Sequence, residues 1–320
     1  MNTNREKIAR RRQRRRRRRL KTSFKIFLSF FIVLVCGGSI AGYGYYQKLH
    51  APDPNGKLEQ IQKEESNNFN MTEEVMPDAD YWVLNVGKGE SIYIKTGSTD
   101  ILIDTGSEAD AKAILKSLEG KLSGSLDYLI ITSNSPGRLG GFRTVCQKLK
   151  PNKIISCDLG DQARAYRQMA EGTKIEEGTD STLTLSEDCT LTIFRPEVSS
   201  EDPRDQSLMT LFTYGKTRFF AESDAGEEEE ARVMDRVKDC DVLVLARAGS
   251  DEVNQHIEEI GAKTMVVSDA KGGGPAKSIT EKLKSGIFTT YKSGNIKFTT
   301  NGNELTSNLK KEDAVGGRVY

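Results

Sequence analysis

The chain has 320 residues and a formal net charge of +1, but its basic and acidic residues are segregated. Residues 1–25 contain thirteen Lys or Arg and one acid, a net of +12, so the remainder carries −11. An acidic remainder argues against a broad nucleic-acid-binding face, because such faces cluster Lys and Arg against phosphates.

The cysteines also exclude one class of site. Beyond Cys36 there are four, far apart and with no Cys-x-x-Cys pair: Cys146, Cys157, Cys189 and Cys240. Zinc clusters usually contain close ligand pairs, so a cysteine-based zinc site is disfavoured. Buried free thiols are the simpler expectation, and two disulfides in an oxidising compartment are the alternative.

The N-terminus has the pattern of a membrane anchor. Residues 1–25 form a basic stub, and residues 26–46 form an uncharged stretch of 21 residues. A helix needs about 20 apolar residues to cross the hydrocarbon core of a bilayer. Arginine before the span and acids after it predict a cytoplasmic N-terminus by the positive-inside rule. We therefore expect a single-pass protein of the cell membrane whose C-terminal domain is extracytoplasmic.

Two alternatives apply to this N-terminal region. Ser39-Ile40-Ala41 also fits a small-x-small cleavage site, which would make the segment a signal peptide, but the length of the span favours an uncleaved signal-anchor. The arginine run also fits binding to anionic lipid or nucleic acid, although fixing the topology already accounts for its position. Residues 47–78, rich in Asn, Glu, Gln, Ser and Pro, are predicted to be a solvated linker.

From residue 79, short β-branched runs and helical patterns alternate, separated by glycine-rich turns. The predicted strands cover residues 81–86, 91–96, 100–104, 127–132, 154–156, 181–185, 190–194, 207–214, 217–222, 241–245, 263–268, 288–291, 295–299 and 304–306. The predicted helices cover residues 108–118, 139–149, 161–170, 225–237, 253–260 and 277–283. This order predicts one α/β domain over residues 79–310 with helices outside its sheets, followed by a tail at 311–320.

The loop after the predicted strand at 127–132 has the position of a functional edge. An apolar run ends at Thr132, a small-residue loop follows, and a diglycine precedes a helical pattern. The loop contains Ser133, Ser135, Gly137 and Arg138, but no histidine, cysteine or carboxylate. The architecture therefore predicts an active-site loop that lacks the usual catalytic side chains.

Several motifs resemble a known family. Leu84-Asn-Val-Gly-Lys-Gly-Glu-Ser91, Ile101-Leu-Ile-Asp-Thr-Gly106 and Leu129-Ile-Ile-Thr132 with its diglycine resemble the opening of a metallo-β-lactamase-fold hydrolase. Within that superfamily they resemble the soluble domain of the ComEC competence proteins. Downstream segments at 205–215, 219–225 and 241–250 continue the resemblance. It implies an α/β fold, an αββα sandwich of metallo-β-lactamase type, preceded here by one transmembrane helix.

The resemblance also implies a zinc or manganese site, whose ligands are missing here. The family's His-x-His-x-Asp-His motif and its later histidines correspond to Ser133, Ser135, Gly137, Arg138, Arg247 (or Ala248) and Gly274. Only Asp224, at the position of the metal-bridging carboxylate, is retained. The whole chain contains two histidines, His50 and His256, so the usual five-histidine site cannot be built. We therefore expect no catalytic residue, no metal ligand and no cofactor.

Two hypotheses concern what replaces the metal. Asp104, Glu222 and Asp224 have the oxygen ligands that Mg²⁺ or Mn²⁺ prefers, although turn and cap roles for Asp104 and Asp224 are the alternative. The other hypothesis is that Arg138 or Arg247 pairs with Asp224 and supplies the missing positive charge, rather than extending into solvent.

The sequence therefore favours a non-catalytic domain that binds or scaffolds at the cell envelope, with an envelope protein or a small ligand as partner. The alternative is a divergent metal-dependent hydrolase, nuclease-like or acting on other phosphodiesters, as the ComEC resemblance implies. DNA binding without cleavage is a third possibility, which the net charge of −11 outside residues 1–25 disfavours.

Overall fold

The structure is a computed structural model that describes residues 78–87, 89–197, 206–245, 255–268 and 285–316. The predicted basic stub, membrane span and linker up to residue 77 lie outside these ranges, as do Arg247, Gly274 and the predicted helix at 277–283. Within the described ranges, no helix has the length and apolar character needed to cross a bilayer. The described elements begin at Ala79, where the predicted domain starts.

The first sheet has an antiparallel part and a parallel part. Its strands are β1 (Ala79–Val83), β2 (Ile92–Thr96), β3 (Thr99–Ile103), β4 (Tyr128–Ile131), β5 (Lys153–Ser156), β6 (Ile175–Glu177), β14 (Ile296–Thr300) and β15 (Leu305–Ser307). Their spatial order is β15-β14-β1-β2-β3-β4-β5-β6. Short connections make β1, β2 and β3 antiparallel neighbours, whereas β3 to β6 run parallel because helical crossovers join them.

The second sheet repeats this arrangement. Its strands are β7 (Ser181–Ser186), β8 (Cys189–Phe194), β9 (Met209–Tyr214), β10 (Thr217–Ala221), β11 (Val242–Leu245), β12 (Thr264–Val267) and β13 (Gly286–Thr289). Their spatial order is β13-β12-β11-β10-β9-β8-β7. The pairs from β7 to β10 are antiparallel and those from β10 to β13 are parallel. Strand β10 therefore has an antiparallel neighbour on one side and a parallel neighbour on the other.

Helices fill the crossovers. They are α1 (Ala111–Leu118), α2 (Pro136–Leu139), α3 (Phe142–Leu149), α4 (Ala163–Met169), α5 (Glu227–Val237), α6 (Gln255–Ile260) and α7 (Thr290–Ser293). Ile114 of α1 and Val145 of α3 are fully buried in the same hydrophobic cluster as the apolar side chains of the first sheet. In α5, the apolar positions Val233 and Val237 lie one turn apart and are also fully buried.

Two adjacent residues of β10 show how the layers pack. The ring of Phe219 lies in the core between the sheets and stacks on Tyr81 of β1, with ring centroids 4.6 Å apart. Phe220 points to the opposite face, as successive strand residues do, and belongs to a separate cluster with Val233 and Val237 of α5. The domain is therefore a mixed α/β sandwich of two sheets, with the helix–sheet–sheet–helix layers that the sequence predicts.

The local predictions differ from the structure in three places. The helix predicted at 139–149 is interrupted at Gly140 and Gly141, which separate α2 from α3. The strand predicted at 288–291 ends at Thr289, whose side chain accepts a hydrogen bond from Lys292 N and caps α7. The three-residue β6 was missed because its partly exposed sequence Ile-Glu-Glu has no apolar alternation.

The four cysteines of the described region are buried free thiols. This matches the simpler of the two sequence expectations and not the disulfide alternative. Burial raises the pKa of Cys146 and of Cys240 to about 12, and that of Cys189 to about 11. Since the thiolate is the reactive form, these side chains serve as packing residues rather than nucleophiles.

Candidate functional site

The carboxyl ends of strands from both sheets meet at one edge of the sandwich. Thr132 follows β4 in the first sheet, and its Oγ1 lies 2.5 Å from Oγ of Ser223, which follows β10 in the second sheet. Leu208 N, just before β9, donates to the Thr132 carbonyl at 2.8 Å. Ser268, after β12, donates from its hydroxyl to the Gly89 carbonyl at 3.0 Å. The loops that the family motifs predicted as the functional edge therefore come together here.

Asp104 is a fully buried residue of this edge. It follows β3 with a φ of 61°, a left-handed conformation that Asp tolerates better than most residues. Its carboxylate accepts hydrogen bonds from Thr132 N at 2.8 Å and from Thr132 Oγ1 at 2.5 Å. Burial raises the pKa of Asp104 to about 8, against the opposing effect of the Arg138 charge. This carboxyl group is therefore mostly protonated at neutral pH.

Arg138 lies in the short helix α2 and is only 6% exposed. Its Nη2 donates to Oδ1 of Asp224 at 3.0 Å. Its Nη1 lies 2.8 Å from Oε1 of Glu90, an ion pair by distance in which the N–H direction does not meet hydrogen-bond geometry. The neighbouring carboxylates keep the pKa of Arg138 above its ordinary value, although burial alone would lower it. Arg138 is thus a permanent buried cation between two carboxyl groups.

Asp224 comes from the second sheet, in the turn after β10. Besides Arg138, it accepts a hydrogen bond from Ser135 Oγ at 2.8 Å. Burial would raise the pKa of this carboxyl, but the Arg138 guanidinium and the serine hydroxyls outweigh it and hold the pKa below its ordinary value. Asp224 is therefore ionised at neutral pH and pairs with Arg138 as a carboxylate.

Glu90 is the residue of this site that sequence reasoning missed. It lies in the loop between β1 and β2 and is 1% exposed. Its N–H donates to the Gly137 carbonyl at 3.1 Å, and its carbonyl accepts from Gly106 N at 3.1 Å. Burial raises the pKa of its carboxyl, while Arg138 acts in the opposite direction. The available signal was its place in the first motif, directly before Ser91.

Glycine is required where these loops cross. A Cβ at Gly89 would lie 2.4 Å from the Gly137 carbonyl oxygen, and a Cβ at Gly141 would lie 2.3 Å from the Thr105 carbonyl oxygen. Both distances are far below van der Waals contact, and in each case the obstacle is backbone. Gly89 and Gly141 therefore allow the close backbone approach that brings Glu90 to Arg138.

The structure brings most of the predicted site residues together. Ser133 is fully buried, and its Oγ accepts a hydrogen bond from Ser135 N at 3.2 Å. The contacts described above join Ser135 and Arg138 to Asp224, and join Gly137 and Arg138 to Glu90. Arg247 and Gly274 lie outside the described residues. The contact between Arg138 and Asp224 is the one that the pairing hypothesis requires.

The residues present do not fit the family's zinc or manganese. Among the described residues, no group of three or more His, Cys, Asp or Glu side chains is arranged to hold a metal ion. That includes the oxygen-ligand set of Asp104, Glu222 and Asp224. A guanidinium already contacts Glu90 and Asp224, and serine and glycine lie where the sequence resemblance implies other ligands. We therefore derive no metal-dependent step for this site.

Comparisons with known proteins show similarity at the level of structure. No protein-family model and no curated protein sequence matches the chain. The metallo-β-lactamase-fold protein YhfI from Bacillus subtilis is 15% identical with a TM-score of 0.49, covering 70% of this chain and 99% of that one. A diphosphatase of the PhnP family is 12% identical with a TM-score of 0.47, covering 70% and 98%.

A metallo-β-lactamase with a HARLDQ motif from Cronobacter sakazakii is 15% identical with a TM-score of 0.39, covering 51% of this chain and 76% of that one. At such identities the similarity concerns the fold and not the reaction. YhfI and the Cronobacter enzyme are both described as metallo-β-lactamase proteins, the fold that the sequence motifs of this chain resemble.

Proposed function

We propose that this chain is a membrane-anchored, extracytoplasmic metallo-β-lactamase-like domain that is catalytically inactive and binds or scaffolds at the cell envelope. The observation that supports this most strongly is the position of Arg138. Its guanidinium contacts Asp224, the only retained residue of the family's ligand set, at 3.0 Å and Glu90 at 2.8 Å.

The charge of Arg138 and the shortage of metal-ligand side chains both disfavour a metal ion at this site. A hydrolytic metal needs several His or carboxylate ligands and an open position for an activated water. A buried guanidinium at 3.0 Å repels a divalent cation and already uses one oxygen of Asp224. The hydroxyls of Ser133 and Ser135 and the backbone of Gly137 do not replace imidazole ligands. The site is therefore suited to holding its own arginine rather than a catalytic ion.

Metal analysis and activity assays test this proposal on the full-length protein in detergent. We expect substoichiometric zinc and manganese, and no hydrolysis of phosphodiester substrates above background with either ion added. Stoichiometric metal together with turnover that is lost in Asp224→Asn would establish the alternative, a divergent hydrolase. Glu176→Gln is the matched control, because it removes the charge of a carboxylate in an exposed ion pair with Lys153.

The membrane anchor and the location of the domain are proposals that rest on residues 1–46 of the sequence. Protease treatment of intact cells tests them, with an epitope tag fused to the C-terminus. We expect the tag to be removed from outside while a tag at the N-terminus survives. Survival of the C-terminal tag would reverse the proposed topology. Binding of residues 1–25 to vesicles with and without anionic lipid tests the partner proposed for the basic stub.

A further inference from the structure

We infer that Arg138 is a tethered counter-cation, which with Glu90 and Asp224 forms a clamp that closes the functional edge without a metal ion. The clamp, defined as these three residues, joins the two sheets. Glu90 belongs to the β1–β2 loop of the first sheet, and Asp224 follows β10 of the second. This goes beyond the proposed function, which concerns the reaction that the site no longer supports.

Burial makes this ion cluster different from the ion pairs on the surface. The side chains of Glu90, Arg138 and Asp224 are 2%, 7% and 15% exposed. Screening by solvent is therefore weak, and each charge depends on its partners. By contrast, the pair of Arg195 and Glu177 has side chains that are 49% and 56% exposed, and such pairs contribute little to stability.

Hydrogen bonds hold the backbone that carries the cation. The Arg138 carbonyl accepts hydrogen bonds from Thr105 N at 2.7 Å and from Thr105 Oγ1 at 2.9 Å. The preceding carbonyl, of Gly137, accepts the N–H of Glu90. These bonds hold the backbone of Arg138 beside the loop that carries Glu90, while its contacts with Glu90 and Asp224 orient the guanidinium. The guanidinium lies where a bound cation could sit, but it is covalently attached to the chain and does not dissociate.

Two buried carboxyl groups face one guanidinium in the clamp. Within the described residues, Oε2 of Glu90 is buried and has no hydrogen-bond partner, so Arg138 satisfies only part of this carboxylate. Removing the guanidinium would leave two buried carboxyl groups facing a cavity of its size. Such a cavity should accept a small cation from solution, because that cation would restore the lost charge balance.

Uncharged contacts provide a second connection between the sheets. They are the Asp104–Thr132–Ser223 hydrogen-bond chain, the bond from Leu208 N to Thr132, and the bond from Ser268 to Gly89. None of these contacts involves the guanidinium. We therefore expect the domain to remain folded at reduced stability when the side chain of Arg138 is removed, which makes the clamp testable.

Thermal unfolding of the full-length protein in detergent is the test. We expect Arg138→Ala to lower the melting temperature by about 10 °C, because it leaves buried carboxylates uncompensated in a domain of this size. Methylguanidinium or Mn²⁺ should then raise the melting temperature of Arg138→Ala and leave the wild type unchanged. The response should disappear in the double variant Arg138→Ala/Asp224→Asn.

Arg195→Ala is the control, since its exposed ion pair should make no measurable difference. The inference is wrong if Arg138→Ala melts with the wild type, or if the added cations shift both proteins alike. Should Arg138→Ala fail to fold, the melting temperature of Glu90→Gln tests whether the clamp stabilises the domain. It must lower the melting temperature, because half of the clamp is lost while the Arg138–Asp224 contact remains. Turnover by the wild-type protein would overturn the proposed function without affecting these results.

Discussion

Nη2 of Arg138 donates a hydrogen bond to Oδ1 of Asp224 at 3.0 Å, although the two residues are 86 positions apart in the sequence. One lies at the carboxyl end of the parallel strands in the first sheet and the other at that of the second. Their contact places a positive charge beside the carboxylate that the sequence resemblance aligns with a metal ligand. The positive charge at this edge therefore belongs to a side chain of the protein itself.

Asp224→Asn should destabilise the domain. The substitution keeps the size of the side chain but removes the negative charge that compensates Arg138, at a cost of about 3 kcal/mol for a buried pair. Because the pKa of Asp224 is held low in the folded protein, its contribution is fully present above about pH 4 and is lost as the pH falls further. Denaturant unfolding at pH 7 measures the effect, and an unchanged midpoint would show that the contact contributes nothing.

Asp104→Asn should change how stability depends on pH. The pKa of Asp104 is about 8 when folded and about 4 when unfolded, so the folded state binds the extra proton between these values. Wild-type stability should therefore fall as the pH rises through this window, by on the order of 1 kcal/mol per pH unit from this group. Asn does not titrate, and it tolerates the φ of 61°.

Unfolding curves of both proteins between pH 4 and 9 provide the measurement for Asp104. We expect the variant to gain stability relative to the wild type as the pH rises, with the difference levelling off above about pH 8. Glu176→Gln, on the surface, should follow the wild-type profile at neutral and alkaline pH. A difference between Asp104→Asn and the wild type that is constant across the range would contradict the raised pKa.

Gly141→Ala should be poorly tolerated. The added methyl group would lie 2.3 Å from the Thr105 carbonyl oxygen, so the backbone of α3 or of the β3 loop must move. Overpacking of this kind typically costs about 1–3 kcal/mol. Gly124→Ala is the control, because no atom lies within 4 Å of its added Cβ. Equal melting temperatures for the two variants would argue against the close backbone approach.

The four cysteines of the described region should react with thiol reagents only on unfolding. They are buried, and burial raises the pKa of each above its ordinary value, so little thiolate exists at neutral pH. In a Cys36→Ser background, labelling with a maleimide should be slow in buffer and complete in denaturant. Rapid labelling of the native protein would show that at least one of these thiols is accessible.

Much of the architecture could be predicted from local patterns. The alternation of short apolar strands with helical segments defined the order of elements, because the side-chain period of each element is a local property. The position of Thr132 at the end of a buried strand also identified the functional edge. The diglycine was recognised in the sequence, but the helix was still predicted to begin at residue 139. The short α2 before the diglycine was missed, since the contact of Gly141 with Thr105 is made at a distance in sequence.

The sequence by itself determined what this site lacks. Two histidines in the whole chain, and serine, glycine and arginine at the family's ligand positions, suffice to disfavour the family's metal chemistry. Only the tertiary structure decided what replaces it. Pairing of Arg138 with Asp224 rather than with solvent, and the participation of Glu90, depend on loops from two sheets meeting at one edge. Such long-range contacts follow from packing, which local sequence patterns do not encode.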